Sequence, residues 1–262
     1  SRGAHNRILA AVEAGTLTGA GVVAASGGNA GLAVAHVAQR LGIAAEVYVP
    51  GTAPRHKVAA LSALGATVRQ VGDQYADAYA AAVAQAERTG ALFCHPYDQP
   101  EICAGQGSLG LELLDEVPAL DTVVLAVGGG GLMAGVAAAL EGHARVVGVE
   151  PQTIPTLHTA LRSGGPVDVE VSGIAADSLG ARRLGTIAYQ VAVRTGVRSV
   201  LVPETAIVEA RRLLWQRWRL VIEHGAATAV AALLTGAYRP ETDERAAVLL
   251  CGGNTDPRDL VD

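Results

Sequence analysis

Three glycine-bearing stretches carry residue types that can handle a small anionic ligand. In the first, Val127-Gly128-Gly129-Gly130-Gly131-Leu132 joins a β-branched run at 123–127 to a run of small residues at 132–140. Glycine permits positive φ and leaves N–H groups unobstructed, and a helix N-terminus behind them adds a favourable dipole. The stretch can therefore cradle a phosphate, or it can make a tight strand-to-helix turn. In the second, Ser26-Gly27-Gly28-Asn29 offers backbone donors, a hydroxyl and an amide to a carboxylate, and Asn29 can also donate to a phenolate oxygen. Its plainer reading is a helix entry capped by Ser26 or Asn29. In the third, Cys251-Gly252-Gly253-Asn254 follows the last apolar strand candidate, where a thiol can face a ligand ring or fill a small apolar space. None of the three has the Gly-x-Gly-x-x-Gly pattern or the Lys-Ser/Thr ending of a P-loop, so NAD and ATP are poor candidates.

The remaining chemical residues are dispersed. Seven histidines lie far apart with no His-Glu-x-x-His arrangement, and they read as local hydrogen-bonding or surface groups. Cys94, Cys103 and Cys251 have neither zinc-site spacing nor the density of a disulfide scaffold, which favours a reducing, cytoplasmic setting. Tyr97 can present a ring face or its hydroxyl, or simply pack its loop. Glu150, before Pro151, reads as an exposed carboxylate, and Glu223 as a cap for the helix that follows. The arginine pairs Arg182-Arg183 and Arg211-Arg212 read as solvated helix faces.

Behind these loops the chain alternates. Strand candidates at 22–25, 46–49, 67–71 and 92–94 are separated by helical patterns at 30–41, 57–64 and 75–88. The alternation resumes with a helix at 105–114, strands at 123–127 and 146–149, helices at 186–193, 207–220 and 225–234, and a strand at 246–250. Strands separated by crossover helices imply largely parallel sheets covered on both faces. We expect two open α/β domains, with ligand loops beyond the strand C-termini. The 262 residues are 50% hydrophobic, 17% charged and 3% aromatic, a composition that packs a core of Ala, Val and Leu. A net charge of −5 gives no general electrostatic case for nucleic acid or an anionic membrane. The apolar stretch 123–140 is long enough to suggest a membrane span, but its glycines divide it into a buried strand, a turn and a helix.

Taken in order, the motifs resemble the fold type II pyridoxal-phosphate enzymes (tryptophan synthase beta-like), particularly their serine/threonine ammonia-lyase, or dehydratase, branch. The resemblance runs through Ser1-Arg2-Gly3-Ala4-His5-Asn6, Ser26-Gly27-Gly28-Asn29-Ala30-Gly31, Gly105-Gln106-Gly107 and the four glycines at 128–131. It continues through Gly148-Val149-Glu150-Pro151, Ala176-Asp177-Ser178, Glu223-His224-Gly225-Ala226 and Cys251-Gly252-Gly253-Asn254. It implies pyridoxal 5'-phosphate as cofactor, with Gly128, Gly129, Gly130 and Gly131 holding its phosphate. It also implies Ser26, Gly28 and Asn29 on the substrate carboxylate, Asn29 also near the cofactor phenolate, Tyr97 against the cofactor, and Cys251 opposite the pyridine nitrogen. The family's Schiff-base lysine belongs immediately before Ser1. Lys57, the one lysine in these residues, matches a separate helix start instead. We therefore expect about 45 to 60 further residues upstream, the scale of a small-domain segment.

The resemblance implies a smaller, mobile substrate-side domain at 21–98 and a larger cofactor domain from 1–20 plus 99–262. It implies β-elimination from L-threonine or L-serine to give 2-oxobutanoate or pyruvate plus ammonia, a small β-hydroxyamino acid substrate, and a homodimer. Departures narrow this. Gly27 stands where serine racemases of the eukaryotic type place a second catalytic Ser, which disfavours a two-base racemase. Relatives with a divalent-cation site use the Glu of Val-Glu-Pro and an Asp six residues on; Glu150 fits, but Thr156 replaces the Asp, so no metal site is expected. The alternatives are β-replacement or threonine synthase-like chemistry within the fold, and, from a different functional class, a catalytically inactive small-ligand-binding relative.

Overall fold

The computed structural model describes residues 1–260, which divide into two compact units, one from Ser1 to Gly105 and the other from Gln106 onward. In the first, the elements run α1 (Arg2–Glu13), β1 (Val22–Ala25), α2 (Asn29–Leu41), β2 (Ala45–Val49), α3 (Arg55–Ala63), β3 (Thr67–Gln70), α4 (Tyr75–Thr89) and β4 (Leu92–Cys94). Helix α5 (Pro100–Glu116) begins in this unit and continues into the second. The sheet order is β3-β2-β1-β4 and every pairing is parallel.

All four residues of β1 are buried, and their alternation divides the core. Val22 and Ala24 pack with Ile8 of α1 and with Val34, Val37 and Ala38 of α2. Val23 and Ala25 pack instead with Ala78, Ala82 and Ala86 of α4. Alanines four apart form one narrow stripe on a helix, so α4 can lie close to the sheet. Burial of each such valine contributes about 1.5 to 3 kcal/mol relative to exposure.

The second unit continues with β5 (Thr122–Ala126), α6 (Gly131–Ala139), β6 (Arg145–Pro151), α7 (Thr156–Ser163), α8 (Ala176–Leu179) and α9 (Thr186–Thr195). It closes with β7 (Arg198–Val202), α10 (Glu204–Trp218), α11 (His224–Thr235), β8 (Ala246–Val248) and a 3₁₀ turn at Pro257–Leu260. Its sheet order, β7-β6-β5-β8, is again parallel throughout. Val124, Val147, Val149, Val200 and Val202 face a core shared with α10 and α11, while α6 and α7 pack on β6. The apolar stretch 123–140 is thus a strand, a glycine turn and a helix. Among the described residues no helix is long and apolar enough to cross a membrane.

Two clusters of ion pairs and hydrogen bonds secure this unit. At the start of β5, Thr122 Oγ1 donates to Glu244 Oε1 at 2.5 Å, the Tyr238 hydroxyl donates to the same oxygen, and Arg145 pairs with it at 3.0 Å. These contacts, led by the Thr122 and Tyr238 hydroxyls, hold the Glu244 carboxyl down at about 2. Arg211 corrects the solvated-face reading, because it is only 3% exposed. Its Nε donates to the Ile222 carbonyl at 2.8 Å, and its guanidinium forks onto Asp259 at 2.7 and 3.1 Å. Its neighbour Arg212 is exposed as expected.

Candidate functional site

In the first unit, the Ser26 and Tyr97 segments leave the C-terminal ends of β1 and β4, which are hydrogen-bonded neighbours. Ser26 and Gly28 are half-buried and Asn29 is exposed. Ser26 Oγ accepts the Gly28 N–H at 3.2 Å, and Gly28 is the N-cap of α2. Gly31 completes this entry by its lack of a side chain, since a Cβ there would collide with the Ser26 carbonyl. The chain can then fold back over the first turn of α2.

The Tyr97 segment is braced by side chains that sequence reading did not single out. His95 Nδ1 accepts the N–H groups of Tyr97 at 3.1 Å and Asp98 at 2.8 Å, which places the ring proton on Nε2. Burial lowers the pKa of His95, consistent with that neutral ring. Gln99 Oε1 accepts the His95 N–H at 2.9 Å, while its Nε2 donates to the Phe93 carbonyl at 3.1 Å. The Tyr97 ring meets His95 edge to face, with centroids 4.7 Å apart. A ring held on both its backbone and its edge is already oriented. Lys57 lies elsewhere, half-buried in the first turn of α3; the lysine expected immediately before Ser1 is outside residues 1–262.

In the second unit the glycine turn and the Cys251 loop leave the C-terminal ends of β5 and β8, again paired neighbours. Gly130 is the N-cap of α6 with φ +88°, and Gly130 and Gly131 are buried while Gly128 and Gly129 are half-buried. A Cβ on Gly130 would lie 2.5 Å from Ala188 Cβ and 2.7 Å from Leu184 Cδ1. The Gly185 N–H donates to the Gly129 carbonyl at 3.0 Å, and Thr156 Oγ1 donates to the Gly128 carbonyl at 2.6 Å.

Cys251 is half-buried, and burial, with the Glu223 carboxylate adding to it, pushes its thiol up and keeps it protonated. The Glu223 N–H donates to the Gly252 carbonyl at 3.1 Å, and Ser178 Oγ accepts the Gly225 N–H at 3.0 Å. Motifs separated by dozens of residues in the chain thus adjoin one another. Glu223 is the N-cap residue of α11, as its position suggested, and it is buried.

Glu150 overturns the exposed-carboxylate reading, being fully buried under the start of α7. Its Oε1 accepts the Leu157 N–H at 2.6 Å and its Oε2 accepts the His158 N–H at 2.9 Å, so it satisfies amides that α7 cannot pair internally. Burial nevertheless dominates and pushes its carboxyl up to about 7, against the pull of the Leu157 and His158 amides and Thr156. Among the described residues no group of three or more His, Cys, Asp or Glu side chains is arranged to hold a metal ion.

Residues 1–252 match the family model described as pyridoxal-phosphate dependent enzyme. The chain belongs to that family. Its cofactor is pyridoxal phosphate, and the two parallel sheets are those of fold type II. An L-threonine ammonia-lyase of Geobacter sulfurreducens is 38% identical over 245 residues, covering 92% of this chain and 60% of that protein. An L-threonine ammonia-lyase of Thermotoga maritima is 35% identical over 258 residues, covering 97% of this chain and 63% of that protein. The chain thus spans less than two thirds of these relatives' length. The maize serine racemase structure superposes with a TM-score of 0.90 at 30% identity, covering 99% of this chain and 80% of that one.

The residues present suit the cofactor. The turn before α6 has no room for a side chain at Gly130, and the first turn of α6 offers backbone N–H groups of the kind that bind phosphate. A protonated thiol at Cys251 suits a pyridine nitrogen that is not fully protonated.

Proposed function

We propose that this chain takes part in deaminating L-threonine, L-serine or a close β-hydroxyamino acid: the β-hydroxyl leaves as water, and hydrolysis of the resulting enamine takes one water back, releasing ammonia and leaving 2-oxobutanoate or pyruvate. The observation that carries this reading is the similarity to two L-threonine ammonia-lyases across 92% and 97% of the chain. Pyridoxal phosphate, when bound, supplies an electron-withdrawing ring that stabilises negative charge at the substrate Cα. Gly128, Gly129, Gly130 and Gly131 hold its phosphate through backbone N–H groups. Cys251 lies opposite the pyridine nitrogen as a neutral partner, which moderates charge withdrawal and favours elimination over longer-lived carbanion chemistry. Ser26, Gly28 and Asn29 bind the substrate carboxylate, Asn29 also serves the phenolate oxygen, and Tyr97 lies against the ring.

In this reading residues 21–98 form the smaller, mobile substrate-side domain, and residues 1–20 with 99–262 the cofactor domain. That functional partition is a different division from the compact one after Gly105. The working form is a cytoplasmic homodimer, and neither nucleic acid nor membrane is a partner. The likeness to a serine racemase raises racemisation as the second reading, against which Gly27 removes the second hydroxyl base.

Incubating the full-length enzyme with L-threonine or L-serine should release ketoacid and ammonia in equal amounts, with no D-amino acid. If no ketoacid forms with any close β-hydroxyamino acid, the reaction is wrong. Product that appears only when a sulfur nucleophile is added would assign β-replacement instead.

A further inference from the structure

Thr156 is fully buried at the first position of α7, and the functional reading above has no use for it. Its hydroxyl lies 2.6 Å from the Gly128 carbonyl and 2.9 Å from Glu150 Oε1. The hydroxyl has one proton to give; with Glu150 in the protonated form that its burial favours, the carboxyl donates to the hydroxyl and the hydroxyl donates to the Gly128 carbonyl along the shorter contact. Glu150, held in turn by the Leu157 and His158 amides, confines the hydroxyl from the other side.

This contact constrains more than one oxygen. A trans peptide is planar, with its carbonyl and its N–H pointing in opposite directions. Holding the Gly128 carbonyl on Thr156 therefore fixes the direction of the Gly129 N–H. Likewise the Gly185 N–H on the Gly129 carbonyl fixes the Gly130 N–H. Such bracing matters most between glycines, which accept either sign of φ and give a peptide plane little resistance to turning over. In a run of four glycines the preference for one set of N–H directions has to come from outside the run.

We propose that Thr156 is a positioning residue for the glycine turn: its buried hydroxyl pins the Gly128 carbonyl and so holds the Gly129 N–H toward a bound phosphate. This rests on the reading that residues 128–131 hold the cofactor phosphate. Thr156 itself touches neither cofactor nor substrate in this scheme.

The test uses full-length enzyme freed of cofactor and compares binding of pyridoxal phosphate with binding of pyridoxal, which lacks the phosphate. Thr156→Val keeps the shape and removes the donor. It should weaken pyridoxal phosphate about tenfold and leave pyridoxal within about twofold, the scale of one lost hydrogen bond. Thr156→Ser, which restores the hydroxyl, should return both affinities to wild-type values. The ³¹P resonance of the bound phosphate should shift in Thr156→Val and return in Thr156→Ser. If Thr156→Val fails to melt cooperatively, Thr156→Cys keeps the volume with a weaker donor and should show the same preference loss at about threefold. An unchanged ratio of the two affinities in the folded variant overturns the positioning role alone. Wild-type enzyme that binds pyridoxal as tightly as pyridoxal phosphate takes down the phosphate reading together with it.

Discussion

The turn after β5 and the turn after β1 both carry a buried parallel strand into the first residue of a helix, and both are rich in glycine, yet they are held in different ways. The β5 turn is braced from a distance: Thr156 and Gly185 reach its carbonyls, and Ala188 and Leu184 close around Gly130. In the β1 turn the corresponding contacts are local, with Ser26 accepting from Gly28 and the Ser26 carbonyl lying over Gly31. Asn29 is exposed, whereas Gly130 and Gly131 are buried. A loop fixed by residues from other elements keeps its shape without a ligand, while one fixed by its own neighbours can adjust when a ligand arrives. That contrast suits the roles proposed for them, a resident phosphate in the second unit and an exchanging carboxylate in the first.

Substitution at Gly130 is the harshest way to test the contrast. Gly130→Val places a branched side chain at φ +88° against Ala188 and Leu184. The left-handed conformation and the overpacking together should cost about 4 kcal/mol. Thermal melting should show this loss together with failure to retain pyridoxal phosphate. A variant that melts like wild type would mean the turn is not stiff.

Glu150 offers the next largest effect, through pH. Its carboxyl is raised in the folded chain to about 7 from an ordinary 4.5, so folding favours the protonated form. The stability it contributes is complete below the unfolded value and is lost as pH rises from 4.5 to about 7, after which no further loss follows. The decline should amount to about 3 kcal/mol in denaturant titrations at a series of pH values. Glu150→Gln should flatten that slope, and a slope as steep as wild type would assign the titration to another group.

In the β1 turn, Ser26→Ala should cost only about 1 kcal/mol of stability, since it removes one partly exposed hydrogen bond. The KM for amino acid substrate should nevertheless rise about tenfold, while pyridoxal phosphate affinity stays the same. A fall in cofactor affinity would blur the division of labour between the two turns. Cys251→Ser should have the smallest effect, since one neutral donor replaces another, and kcat should stay within about threefold. Cys251→Asp should lower kcat much further; equal rates for the two variants would remove Cys251 from the pyridine nitrogen.

Most of the alternation could be read along the chain. Strand β1 falls at 22–25 and β4 at 92–94 as expected, and the run at 123–127 differs from β5 by a single residue at each end. These are short apolar runs bounded by glycine, turn residues or a helix end, signals that survive folding because they are local. Four elements escaped: α1, α7, α8 and β7. Helix α7 is eight residues long with polar and apolar side chains mixed, and β7 begins Arg198-Ser199 at the edge of its sheet, so neither shows a clean period. Among the candidate residues, the glycines, Ser26, Asn29, Tyr97 and Cys251 stand out by type and neighbours, whereas His95 and Gln99 look ordinary until their loop closes around them.

Sequence alone determined which residue types follow which strands, because strand runs, glycine turns and helix entries depend on neighbours within a few positions. It also carried the order of motifs that marks the family. Only the tertiary structure decided that Glu150 is buried rather than exposed, that Arg211 is locked onto Asp259, and that Thr156 reaches the Gly128 carbonyl. Thr156 and Gly128 are 28 residues apart. Their contact exists because β5 and β6 lie side by side and α7 starts just beyond β6, a distance that no local pattern encodes.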